Sequence, residues 1–237
     1  MKIIAITQAR LSSSRLPQKV LLDVNGKTML QLHLERSLKS KLIDKLIVAT
    51  TTEQNVYLIN EIAVLCNCDC YNGSLEDVLE RFYFAALPHN PDFVVRITSD
   101  CPLIDSKLID KVIEAGIKNN VDYCSNVLSR TYPDGMDVEM ISFRALRIAF
   151  ENSNLQTDRE HVTPFIRNNS TYYGGNLFTS FSVVNPEDYG DIRLTLDYQE
   201  DYILIKSLVS ELGENKSWIE YAEKAKQIAK NTEDRII

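Results

Sequence analysis

Residues 3–20 read IIAITQARLSSSRLPQKV. The run Ile3 to Ile6 is wholly apolar, the pattern of a buried strand. A loop follows with three consecutive serines, Ser12 to Ser14, set among Arg10, Arg15 and Lys19. On residue types alone two readings stand: a solvated surface loop, or a cradle for a polyphosphate. Arg can fork two donors onto phosphate oxygens, Lys adds a mobile point charge, and hydroxyls and loop amides add neutral donors. The loop matches neither the Walker pattern nor the glycine-rich dinucleotide fingerprint.

Working outward from this strand, apolar runs and helical periodicities alternate. Ile3–Thr7 reads as a strand and Thr28–Ser40 as a helix. KLIVATTT is a strand ending in hydroxyls at Thr50 to Thr52, Asn55–Leu65 is a helix, and CDCY is a short strand. Ser74 opens a further helix, with Asp77 completing a capping box. DFVVRIT is a strand and Lys107–Lys118 a helix. This order predicts a mostly parallel sheet with helices on both faces, whose ligands sit beyond the carboxyl ends of the strands. From about residue 123 the rhythm changes. The extended pieces DYCSN, DVEMIS and FSVV surround one helix near Phe143–Glu151, and DIRLTLD reads as another strand. Helices at about Gln199–Leu212 and Ser217–Lys230 end the chain. The expected organisation is one α/β domain over residues 1–237, with a β-rich elaboration at about 123–190.

Bulk composition narrows the function. With 237 residues, 44% hydrophobic and 25% charged, the chain can bury a sizeable core. Its net charge of −7 disfavours nonspecific nucleic-acid binding. The charge is uneven: residues 1–45 carry nine Lys and Arg against three Asp and Glu, so the basic loop belongs to a local positive region on an acidic protein. No stretch resembles a signal peptide or a membrane span. Five cysteines without a secretory signal suit free thiols in a reducing cytoplasm. Cys66, Cys68 and Cys70 alternate, but no second cysteine pair or histidine cluster completes a metal site.

Four constellations carry chemistry. The basic loop is the first. In VVRITSDCPLID a strand runs into Asp100, a carboxylate placed for Mg²⁺ beside that loop, or a loop-capping aspartate. In DIRLTLDYQED a strand again ends on a carboxylate, Asp197; Glu200 and Asp201 beyond it suit an acidic first helical turn. The last is RTYPDGMDVEMIS with TDREHVTPFIRN. PDG signals a turn, and Asp137 and Glu139 alternate on the strand after it. Arg159, Glu160 and His161 are consecutive, so one regular element cannot point all three the same way.

QARLSSSRLPQKVL, VATTT, GSLEDVLERF, RITSDCPLID, RTYPDGMDVE, REHVTPFIR and RLTLDYQED occur in this order. Together they resemble the cytidylyltransferases of the spore-coat polysaccharide biosynthesis protein F type, relatives of the CMP-KDO and CMP-sialic acid synthetases. The resemblance spans about residues 2–210. It implies a Rossmann-like nucleotidyltransferase fold of the glycosyltransferase-A type. It implies attack of a sugar or sugar-acid hydroxyl on the α-phosphate of CTP, release of pyrophosphate, Mg²⁺ as cofactor and a homodimer built through the β-rich half. By position, Arg10, Ser13, Arg15 and Lys19 match the triphosphate loop, and Asp100 and Asp197 the metal carboxylates. Thr50, Ser74 and Asp77 fall where the nucleoside pocket is lined. Asp137, Glu139, Arg159, Glu160 and His161 fall on the acceptor side. Gln18 departs from the family, which usually has glycine in Arg-Leu-Pro-Gly-Lys. Ser99 departs too, where glycine often precedes the metal aspartate.

Nucleotidyl transfer needs charge neutralisation and in-line positioning more than a protein nucleophile. Arg10 and Lys19 with Asp100 and Asp197 are therefore the expected catalytic set. In the metal-free protein the two carboxylates are expected to converge with little else to neutralise them. Two other readings stand beside this one: a sugar-nucleotide-dependent glycosyltransferase, whose Asp-x-Asp pair CDCY lacks, and a non-catalytic nucleotide-binding protein.

Overall fold

The computed structural model describes residues 1–233. Its main sheet has seven strands. In chain order the strands and helices are β1 (Ile3–Gln8), the hairpin β2 (Asp23–Val24) and β3 (Lys27–Thr28), α1 (Met29–Ser37), β4 (Lys45–Thr51), α2 (Tyr57–Leu65) and β5 (Asp69–Gly73). Then come α3 (Val78–Ala86), β6 (Phe93–Thr98), α4 (Ser106–Asn119), β7 (Tyr123–Ser125), β8 (Glu139–Ser142), α5 (Phe143–Asn152), α6 (Gln156–His161) and α7 (Pro164–Asn168). β9 (Ser180–Ser182), α8 (Gln199–Leu212) and α9 (Trp218–Glu233) follow. The strand order is β5-β4-β1-β6-β8-β7-β9. β1 pairs in parallel with β4 and β6, β4 with β5, and β7 with β9; β8 runs antiparallel to both β6 and β7. No described helix is long and apolar enough to cross a membrane.

The all-apolar runs have a simple cause. Successive strand residues point to opposite faces, and both faces are covered. Ile3 and Ala5 of β1 pack into the core shared with α1, α2, α4, α8 and α9, whereas Ile4 and Ile6 pack with α3 and α5. Each strand of this kind must be apolar throughout, so the alternation seen in half-exposed strands is missing.

Three local expectations need correction. DIRLTLD is extended but joins no named strand. Its one bridge is Arg193 with Asp134, and Leu194 N–H donates to the Asp134 carbonyl at 2.7 Å. This segment lies across the end of the sheet, where the PDG turn supplies its partners. A Cβ at Gly135 would lie 2.5 Å from the Leu194 carbonyl carbon, and φ there is +103°, so the turn needs glycine. The helix after β5 starts at Val78, capped by Asp77, whose Oδ1 accepts the Glu80 amide at 2.8 Å. Ser74 Oγ accepts the Asp77 amide at 3.2 Å and so orders the turn before the cap. REHVTPFIR, finally, forms two short helices. They part at Val162, which takes φ 70° although buried and β-branched, and Pro164 starts the second.

Candidate active site

The chain leaves β1 for β4 and β5 on one side, then returns to add β6 on the other. Gln8 and Thr98 are in register at the carboxyl ends of these two neighbours. Such a reversal opens a crevice where the outgoing loops separate. A cleft lies there, lined by both strand ends, the basic loop, the PDG turn and α6.

Arg10, Ser13, Ser14, Arg15 and Lys19 all line it. The loop folds on itself: the Ser13 and Gln18 amides both donate to the Leu11 carbonyl at 3.0 Å. Gln18 sits at φ 54°, ψ 25°, a left-handed conformation that glycine adopts without steric cost. The departure at this position therefore leaves a glycine-like backbone. A one-turn 3₁₀ helix over Lys19–Leu21 then buries Val20 and turns Lys19 inward.

Asp100 and Asp197 do converge, but not as bare charges. Lys19 Nζ stands between them, 3.1 Å from Asp100 Oδ2 and 2.7 Å from Asp197 Oδ1. Arg15 and Arg193 reach Asp197 at 3.4 and 3.3 Å. The expectation of two carboxylates with little to neutralise them is thus corrected: the basic loop and the Asp197 segment supply three cations. Burial works to raise the Asp100 pKa, but the Lys19 charge and hydrogen bonds from Thr98 and Lys19 hold it below the usual carboxylate value. The two acidic segments are also tied by backbone, since Leu196 N–H donates to the Asp100 carbonyl at 2.7 Å. Asp201 accepts the Asp197 and Tyr198 amides at 2.8 and 2.9 Å and grips Arg193, so this acidic first helical turn builds the site from below.

Two carboxylate oxygens already sharing one cation offer hard donors of the kind a divalent ion takes. Among the described residues no cluster of three or more His, Cys, Asp or Glu side chains could hold a metal alone. A pair of carboxylates can still serve a divalent ion whose remaining positions are filled by water and substrate phosphates.

The other sequence candidates divide. Asp137, Glu160 and His161 line the cleft. Arg130 forks onto Asp137 with bonds of 3.1 and 3.0 Å. Glu139 does not line it. Its carboxylate is buried, paired with Arg96, its register partner on β6, and accepts the Tyr123 hydroxyl. Arg159 turns away from Glu160 and His161 and binds Asp77, with Nε at 2.8 Å from Oδ2, so the nucleoside and acceptor candidates meet in one ion pair. Thr50 is fully buried and its hydroxyl has no partner; neither it nor Ser74 lines the cleft.

Two arginines of the cleft and a buried histidine beneath it escaped the sequence reading. Arg81 lines the cleft from α3 while 2% exposed; it donates to the Ala49 carbonyl at 3.1 Å, and its Nε has no partner. Burial, with the Arg10 charge added, pushes its pKa down to about 10. The signal was available: Arg81 interrupts the buried stripe of Val78, Phe82 and Ala85, and a lone cation in such a stripe needs a reason. Arg96 lines the cleft from β6, sharing a strand face with Val94 and Thr98. His33 sits beneath Asp100, its ring nitrogens 3.0 Å from Thr7 Oγ1 and from the Cys101 carbonyl. Burial lowers its pKa to about 4, so it is neutral and links β1 to the Asp100 turn.

The sequence pattern of the cytidylyltransferase family matches residues 4–232. The chain belongs to that family. It is 30% identical over 217 residues to the spore coat polysaccharide biosynthesis protein SpsF of Bacillus subtilis, covering 90% of this chain and 88% of that one. It is 41% identical over 210 residues to the uncharacterized protein MJ1063 of Methanocaldococcus jannaschii, covering 88% and 83%. A solved cytidylyltransferase from Leptospira borgpetersenii superposes with a TM-score of 0.90 at 34% identity, over 97% of this chain and 96% of that one. This cytidylyltransferase is accordingly a CTP-dependent nucleotidyltransferase, with the α/β nucleotidyltransferase fold that its motifs implied.

Proposed function

We propose that this cytidylyltransferase transfers CMP from CTP to a hydroxyl of a sugar or sugar-acid acceptor for surface polysaccharide or glycoconjugate synthesis. The acceptor hydroxyl gives up its proton to water as its oxygen bonds to the α-phosphorus, the bond from that phosphorus to the bridging oxygen breaks, and pyrophosphate leaves with the electron pair. The observation that carries this reading is the meeting of Lys19 with Asp100 and Asp197 at the β1/β6 crevice. It supports a triphosphate held by Arg10, Ser13, Arg15 and Lys19. It equally supports Mg²⁺ held by the two aspartates. When bound, the metal neutralises phosphate charge and lowers the pKa of an acceptor hydroxyl. The chain's own cations then stabilise charge on the departing phosphates. Arg81, unpaired at Nε and close to the carboxyl end of β4, suits the nucleoside side with Thr50, Ser74 and Asp77 behind it. Asp137, Glu160 and His161 suit the acceptor, with the buried Glu139–Arg96 pair and the half-buried Arg159–Asp77 pair supporting them.

Lys19→Ala should weaken CTP binding more than CMP binding, because the lost charge serves the outer phosphates. A charged hydrogen bond is worth about 1.5–3 kcal/mol, or tenfold and more in affinity. Calorimetry with both nucleotides checks this, and equal losses would remove the placement. His161→Ala should keep CTP affinity while raising the acceptor KM or lowering turnover. A selective loss of CTP affinity would move His161 to the nucleotide side.

On this reading the whole chain acts as one catalytic domain in the cytoplasm, where its five free thiols persist. The half around residues 123–190 serves acceptor binding and dimerisation. β9 is a sheet edge, and Phe181 on it, with nearby Tyr172, Tyr173, Leu177 and Val184, is exposed. A strand edge flanked by exposed apolar side chains invites pairing with another chain. Light scattering at micromolar protein should give twice the chain mass; a monomer would rule the dimer out.

A further inference from the structure

Glu53 lies just past β4 and does not line the cleft. Its carboxylate nonetheless grips the basic loop. Oε1 accepts the Leu11 amide and, at 3.1 Å, the Ser12 amide; Oε2 accepts the Ser12 hydroxyl at 2.8 Å. The bonds of Ser13 and Gln18 to Leu11 are internal to the loop, so they shape it without anchoring it. Glu53 joins that shape to the sheet at the residues that immediately precede Ser13, Ser14 and Arg15.

We infer that Glu53 is a positioning residue for the triphosphate: it fixes the Leu11–Ser12 backbone from behind and so presents the loop's donors in their binding arrangement. The inference rests on the proposed phosphate role of the loop. Without the carboxylate, two amides turn to water and their residues regain backbone freedom. CTP would then have to order the loop as it binds, and only the ordered fraction of the protein would bind well. The sign of the effect separates this from simple electrostatics. A carboxylate near a triphosphate repels it, so field effects alone make removal of Glu53 strengthen CTP binding. Positioning makes removal weaken it.

The test is calorimetry of CTP and CMP with Glu53→Ala, Glu53→Asp and Glu53→Gln, with Lys19→Ala as reference. Hydrogen exchange at the Leu11 and Ser12 amides is followed in parallel. Glu53→Ala should bind CTP about tenfold more weakly or worse, equivalent to about 1.4 kcal/mol, and keep CMP affinity within about threefold. Glu53→Asp keeps the charge but draws it away from the amides, and should lose CTP as Ala does. Glu53→Gln keeps an acceptor oxygen without the charge and should stay within about threefold of wild type for CTP. Leu11 and Ser12 should exchange faster in the Ala and Asp variants and regain protection with CTP. Unchanged or tighter CTP binding in Glu53→Ala, or in Glu53→Asp should the alanine variant not fold, overturns the inference if Lys19→Ala still weakens CTP. If Lys19→Ala also leaves CTP affinity intact, the phosphate role of the loop falls first, and this inference with it.

Discussion

Asp197→Asn and Asp100→Asn should each lower turnover about 10²–10³-fold, the usual cost of losing one preorganised electrostatic stabiliser. The two variants should resemble each other, and the double variant should turn over little more slowly than either, because both disable one centre. Stability should behave differently. Lys19 bonds both carboxylates, so a single substitution leaves its ammonium one charged partner. Both carboxylates are also partly open to water, and single variants should stay within about 1 kcal/mol of wild type by urea unfolding. The double variant strips Lys19, whose side chain is only 13% exposed, of both counter-charges, and should be clearly less stable than either single. Full activity in Asp197→Asn would refute the pairing.

The second large effect lies behind the site. Glu139→Ala should cost about 3–5 kcal/mol of folding stability, the range for removing one member of a buried ion pair. It would leave Arg96, 13% exposed on its side chain, without its carboxylate, and the buried Tyr123 hydroxyl without its acceptor. Glu139→Gln keeps an acceptor for Tyr123 and should lose less. Urea unfolding measures both. A loss below about 1 kcal/mol in Glu139→Ala, with the acceptor KM raised, would return Glu139 to direct acceptor binding.

The first half of the fold was legible because its physics is local. Ile3–Ile6 and Leu46–Ala49 are buried on both faces and read as strands from composition alone. Asp100 was legible for the same reason, as the polar residue that ends such a run. Asp197 was found by the same rule through a different cause: its segment is extended because the PDG turn and the Asp100 carbonyl bond it, not because it joins the sheet. Glu139 shows the converse limit. Alternation put it on one face with Asp137, but only the β6–β8 register shows that Arg96 lies opposite and takes the charge. Arg159 and Asp77 are 82 positions apart, and no local pattern announces their pairing. The grip of Glu53 on Leu11 and Ser12, and the pairing of Lys19 with Asp100 and Asp197, were hidden likewise, since the partners lie far apart in the chain.

On the proposed reading this crevice transfers CMP from CTP. Pyrophosphate release from CTP, ATP, GTP and UTP, each with Mg²⁺ and a panel of sugar acids, neutral sugars and phosphorylated acceptors, tests it most directly. The predicted result is release with CTP alone, dependent on one acceptor class and abolished by chelation of the metal. Tight CTP binding with no turnover against any acceptor would contradict it and leave a nucleotide-binding protein on a cytidylyltransferase fold.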